Sequence, residues 1–215
     1  MDESSPRFKV LQKSAMTEQR LILASGSKAR SEMLSSAGVS HDIDVARIDE
    51  QLIKESMSQE DHPPRDIADA LAQSKASKIA RRHPGRLVLG ADQILVHGGK
   101  IYDKPKDLDE AREQILALKG EAHRLISACV MMIDDKVTFR HIDIAKLVVR
   151  EFSEEFLQNY LKEEGDQILS CVGSYRLEAR GAQLFSTISG DYFTILGLPL
   201  LPCLQHLRDQ GMLKT

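Results

Sequence analysis

The chain has 215 residues, 42% of them apolar, enough to bury a sizeable core in one large domain or two small lobes. Its 29 basic and 32 acidic side chains nearly balance, which excludes a nucleic acid polymer as the main partner and leaves room for a small phosphorylated ligand. No run approaches the roughly 18 apolar residues of a membrane span, and the first twenty residues lack the apolar segment of a secretory signal, so a cytoplasmic protein without membrane attachment is expected.

Residues 1–19 show no period and read as a flexible extension ahead of a single domain over 20–215. Arg20 to Ala24 reads as a short buried strand, broken by Ser25-Gly26-Ser27. Ser27 is placed to cap a helix from Lys28 to Ala37, with Met33 and Leu34 inward and Gly38 as its stop. A strand, a small-residue turn and a helix start present free backbone N–H groups, the ingredients of an anion site. Lys28 and Arg30 lie in that first turn, where cations oppose the helix dipole. They suit either a bound anion or a solvated basic turn.

Ile43, Val45 and Ile48 suggest an extended segment leading to Asp49-Glu50, and Pro63-Pro64 introduces a helix from about Arg65 to Arg82. Ile67, Leu71 and Ile79 share one face of it, and spacing alone leaves Lys75 in solvent. Leu87 to Ala91 is the next strand, Gln93 to Val96 continue it, and Gly98-Gly99 turns the chain back toward Lys104-Pro105. Asp107-x-x-Glu110 forms a capping box for a helix to about Leu118. Arg124–Ile133 and Val137–Val149 flank Asp134-Asp135-Lys136 as a long hairpin, and Ser153 caps a helix ending at Gly165. A loop over Gly173-Ser174-Tyr175, a strand over 183–188 and a closing helix through Arg208 complete a mixed α/β pattern with a long central sheet.

Cys129, Cys171 and Cys203 are far apart, without CxxC or zinc spacing, and read as small core residues in a reducing compartment. Glu50, Asp92 and Lys104 stand at strand ends, as caps or as chemistry. Carboxylates with few histidines favour Mg²⁺ or Mn²⁺ over zinc, and such a cation with lysine and arginine suits displacement at phosphorus. A nucleotidyl or sugar-phosphate transferase would use the same groups with a second acceptor.

The segments Leu21-ASGSKAR-Ser31-Glu32-Met33-Leu34, IDE at 48–50, GAD at 90–92, KPKD at 104–107 and GDYFTILGLPL at 190–200 together resemble the Maf family of nucleoside triphosphate pyrophosphatases. The matches run in one order from Arg20 to Gly211. The resemblance implies an α/β fold similar to inosine triphosphatase, with an elongated sheet flanked by helices in two lobes, frequent homodimers, and a divalent cation. It also implies hydrolysis of a nucleotide to its monophosphate and pyrophosphate. Ser25, Ser27 and Arg30 match the family's phosphate-binding turn; Glu50, Lys75, Asp92 and Lys104 match its acids and lysines, with Glu50 and Asp92 as metal ligands. Glu178 matches the position near the base. Where members commonly read SPRR, this chain has Lys28-Ala29 before Arg30, so Lys28 is expected to supply the missing charge as a point contact. Gln93 replaces the usual threonine. The stretch GSYRLE resembles the 7-methyl-GTP branch, and a carboxylate at 178 suits a guanine edge made more positive by methylation. Substrate 7-methyl-GTP is therefore expected, with dTTP or UTP, or a non-catalytic nucleotide-binding regulator of cell division, as the alternatives.

Overall fold

A computed structural model of the protein describes residues 20–214; the extension over 1–19 lies outside the described residues. The elements in chain order are β1 (Leu21–Leu23), α1 (Lys28–Ser36), β2 (His41–Ile43), α2 (Glu50–Gln59), α3 (Pro64–Ala80), β3 (Leu87–His97) and β4 (Lys100–Tyr102). They continue with α4 (Leu108–Leu118), β5 (Ala122–Ile133), β6 (Lys136–Val149), α5 (Glu154–Glu164), β7 (Phe185–Ser189), α6 (Tyr192–Ile195) and α7 (Leu200–Asp209). Short 3₁₀ turns cover Gly165–Ser170 and Arg180–Leu184.

One seven-stranded mixed sheet runs in the order β2-β1-β3-β5-β6-β7, with β4 folded back on β3. The β2-β1-β3 end is parallel and the β3-β5-β6-β7 end antiparallel. Strand β3 carries apolar side chains on both faces because both are covered. Val88, Ile94 and Val96 meet Ile67, Leu71 and Ile79 of α3 on one face. Leu87 and Leu89 pack on the other with Leu34 of α1 and Cys203 and Leu207 of α7, while Leu95 joins Ile115, Leu118 and Leu157 from α4 and α5. The expected elongated α/β sheet with helices on both sides is thus present.

Several local expectations change. Only His41–Ile43 of the extended segment is strand; Ile43 and Val45 face solvent. Asp49 instead caps the helix α2, accepting from Leu52 N–H at 3.0 Å. Strand β3 continues without a break through residues 93–96 to His97, and Gly98-Gly99 turns it into β4, both as expected. Asp107 caps α4, while Glu110 reaches back to the Lys106 N–H at 2.9 Å, one residue earlier than a capping box requires. Helix α6, four residues long, follows Gly190-Asp191 and is capped by Asp191. Cys129 and Cys203 are core residues as expected, but Cys171, just after a 3₁₀ turn, is only half-buried; all three thiols are free.

Candidate active site

The small-residue turn sits where β1 leaves the sheet, after Ala24 N–H donates to Leu89 O at 2.8 Å. Ser27 caps α1, its hydroxyl accepting from Arg30 N–H at 3.4 Å, and Ser25 Oγ accepts from Ser27 N–H at 3.3 Å. Helix α1 then turns the Arg30 guanidinium inward rather than to solvent. Its Nη1 donates to Ser25 Oγ at 3.0 Å and its Nε to Gly197 O at 2.8 Å. Burial lowers the Arg30 pKa, while Asp92 and Glu50 act in the opposite direction. Gly197 has φ +100°, and a Cβ there would stand 3.4 Å from Arg30 Nη2, so a bulkier residue would crowd the guanidinium it anchors. Lys28 points elsewhere: its side chain is 89% exposed and pairs with Glu32 at 3.5 Å.

Lys75 is the centre of the charged cluster. The middle of α3 lies over β3, and this buries a lysine whose helical spacing alone suggests solvent; it is 7% exposed. Its ammonium donates to Asp92 Oδ1 at 2.6 Å and lies 2.8 Å from Glu50 Oε1. Asp92 comes from the middle of β3, Glu50 from the first turn of α2. Burial raises the Glu50 pKa, but Lys75, Lys54 and Lys104 outweigh it and hold the carboxyl below its ordinary range. The second oxygens of both acids have no protein partner among the described residues.

Lys104 follows β4 in a short loop. Lys54 of α2 grips the preceding residue, Asp103, through its carboxylate at 2.5 Å. Lys104 itself has no hydrogen-bond or ion-pair partner among the described residues. Its ammonium pKa is lowered by burial first and then by Arg30, with Lys75 adding to the effect and Glu50 opposing it. The residue is exposed at its surface, so that burial belongs to the surrounding rim rather than to an enclosed pocket.

Glu178 lies further along that rim, exposed on the turn between Arg176 and Arg180. Buried Glu164 holds this turn, accepting from Arg180 N–H at 3.1 Å and forming an ion pair with Arg176 at 3.3 Å that is not aligned as a hydrogen bond. The Cys171 thiol, its pKa raised mainly by burial, is affected by both the Glu178 and the Lys104 charges, so both lie near it. The structure therefore brings Ser25, Arg30, Glu50, Lys75, Asp92 and Lys104 into one neighbourhood, sets Glu178 at its edge and leaves Lys28 outside.

Two residues without an expected role in the site also shape it. The Gln93 amide lies 3.0 Å from each of Ser127 Oγ, Thr194 O and Ile195 O, tying β3 to the segment that ends at Gly197. Lys54 sits four residues after Glu50, and that i, i+4 spacing is its only trace in the sequence.

Two carboxylates sharing one ammonium, beside a guanidinium and a free lysine, can bind a polyanion and remove a proton from water. No cluster of three or more His, Cys, Asp or Glu able to hold a metal occurs among the described residues. The donors fit a hard cation all the same, because Mg²⁺ is held by one or two carboxylates together with substrate phosphates. The unpartnered oxygens of Glu50 and Asp92 are such a pair. No helix among the described residues is long and apolar enough to cross a membrane.

Comparison with known proteins gives a match over residues 20–210 to the family model described as Maf-like protein. A Paramagnetospirillum magneticum protein named nucleoside triphosphate pyrophosphatase is 47% identical over 192 residues, covering 89% of this chain and 99% of that one. A Roseobacter denitrificans protein of the same name is 48% identical, covering 90% and 97%. A Rhizobium meliloti protein named 7-methyl-GTP pyrophosphatase is 44% identical, covering 89% and 96%.

Proposed function

The chain belongs to the Maf-like protein family, and from that premise we propose that it is a hydrolase that splits nucleoside triphosphates into monophosphate and pyrophosphate, with 7-methyl-GTP as its preferred substrate. One observation carries the reading: Lys75 is clamped between Glu50 and Asp92, next to Arg30 and a Lys104 that has no anion of its own.

Arg30 and Lys104 bind the triphosphate, and Ser25 and Ser27 line the turn that receives it. A water held by the free oxygen of Asp92 loses its proton to that carboxylate as the new P–O bond forms at the α-phosphorus. The α–β bridging bond breaks, and pyrophosphate leaves with its charge neutralised by Arg30 and Lys104. Lys75 holds Asp92 in place through the 2.6 Å bond to its Oδ1, which leaves the other oxygen free to face the water. Glu50 and Asp92 are the residues that would hold Mg²⁺ or Mn²⁺, which supplies charge stabilisation to the phosphates and eases deprotonation of water. Glu178 supports the choice of base, since a carboxylate accepts from the donor edge of guanine and is attracted to a methylated, more positive ring.

Pyrophosphate release from 7-methyl-GTP, GTP, dTTP and UTP tests the reading. Preference for 7-methyl-GTP is expected, with Asp92→Asn slower by about a hundredfold or more, the scale at which general-base loss is felt. Preference for dTTP or UTP would replace the substrate assignment. Nucleotide binding without pyrophosphate release would replace the enzyme with a sensor.

A further inference from the structure

We propose that Gln114 is a positioning residue that sets the span between the phosphate end and the base end of the cleft. The inference rests on the pyrophosphatase reading of that cleft. Gln114 lies on the inward face of α4, beside Ala111, Ile115 and Leu118, and is 7% exposed. An amide among apolar side chains is unfavourable unless its donors and acceptor are matched. Here they are matched to two segments far apart in sequence. Gln114 Nε2 donates to Asp103 O at 3.0 Å, and Ser174 Oγ donates to Gln114 Oε1 at 3.0 Å. The amide can point only one way, because the Asp103 carbonyl is an acceptor and must face the NH₂ group.

Each segment carries one end of the proposed substrate site. Asp103 immediately precedes Lys104, and its carboxylate is held by Lys54 from α2, the helix that also carries Glu50. Ser174 lies four residues before Glu178. It is fully buried, has φ +61° although it is not glycine, and its carbonyl accepts from Tyr160 O–H at 3.1 Å. A left-handed serine is unfavourable and persists where its surroundings hold it. Gln114 on one side and Tyr160 on the other provide that hold. One amide thus ties the loop presenting Lys104 to the loop leading to Glu178. A nucleotide bound at both ends requires that distance, whereas one bound by its phosphates alone does not.

The test compares wild type, Gln114→Met and Ser174→Gly. Methionine keeps the length and apolar volume of the side chain and removes both bonds; glycine accepts φ +61° and removes the hydroxyl from the other end. The ratio of kcat/KM between the best and the poorest nucleotide is expected to contract by about tenfold in either variant, because discrimination depends on placement at the base end. The double variant should contract it little further, since both changes cut one link. A role in folding alone would lower every rate together and leave the ratio unchanged, and an unchanged ratio in both variants overturns the proposal. The same ratio is measured as nucleotide affinity. A wild type that binds without releasing pyrophosphate would then remove the hydrolytic reading, and the affinity ratio would still decide on Gln114.

Discussion

Among single residues, Lys104 shows most directly what the site is built to receive. A partly buried lysine near Arg30 and Lys75, whose effects outweigh the attraction of Glu50 and Cys171, is electrostatically unfavourable without a ligand. Its charged form is disfavoured, so its pKa is lowered, and the cost is relieved as pH rises through that lowered value. A triphosphate reverses the balance by supplying the missing negative charge. Binding to the free enzyme should therefore weaken as pH rises through the lowered Lys104 pKa, at a lower pH than an ordinary lysine would set. The alkaline limb of kcat/KM reports this ionisation. Lys104→Arg should move the limb upward, since a guanidinium stays charged there, while reducing the maximum through altered geometry. An unmoved limb would show that Lys104 does not carry the phosphate charge. Asp92 and Lys104 are legible in the sequence because an acid and a lysine flank a glycine turn at the end of an apolar run. Lys75 is marked only by the family resemblance, because helical spacing cannot distinguish a buried charge clamp from a solvated lysine.

At the level of elements, the clamp depends on how closely α3 lies on β3. Ala68, Ala72, Ala76 and Ala80 form a stripe of small side chains along the buried side of α3, opposite Gly90. A Cβ at Gly90 would fall 2.2 Å from Ala72 O and 2.6 Å from Ala76 N, so backbone would have to move. Gly90 is two residues from Asp92, and Ala76 is next to Lys75, which makes this contact the spacer for the 2.6 Å bond. Gly90→Ala should destabilise the protein by about 1–3 kcal/mol, the usual range for overpacking. It should also lower kcat in molecules that remain folded, which denaturation curves and active-site titration would separate. A variant with wild-type kcat would show that the close contact does not place Lys75. The large apolar stripe of α3 is legible in the sequence, but alanines at the same period resemble ordinary helix formers. Helix α2 escapes sequence reading for a different reason: it carries few apolar side chains, buries none of them fully, and leaves Leu52 61% exposed.

Across the whole molecule, the β5–β6 hairpin joins the charged cluster to a second apolar core, and that core carries a titratable group. His123, near the start of β5, is 1% exposed and bonded through Nε2 to Tyr175 O–H at 2.8 Å, with Phe185 against its ring. Its Nδ1 has no partner among the described residues, so a proton there would be buried without an acceptor from them. Burial pushes the imidazole pKa down to about 4 from 6.5, with His97 adding to the shift. In the window between those values the unfolded chain binds a proton that the folded chain refuses, so stability rises with pH across it and is lost as pH falls. The full difference is on the order of 3 kcal/mol, a sizeable share of a domain's stability. Glu50, with its lowered pKa, works in the same direction at more acidic pH, since its stabilising charge is lost as pH falls through the folded value. Tyr175 belongs to the loop that leads to Glu178, so charging His123 would loosen the base end of the cleft along with its core. Denaturation midpoints from pH 7 to 4 should fall steeply in the wild type and more gently in His123→Gln, which has no proton to gain. Parallel curves for the two proteins would place the acid sensitivity elsewhere than in this core.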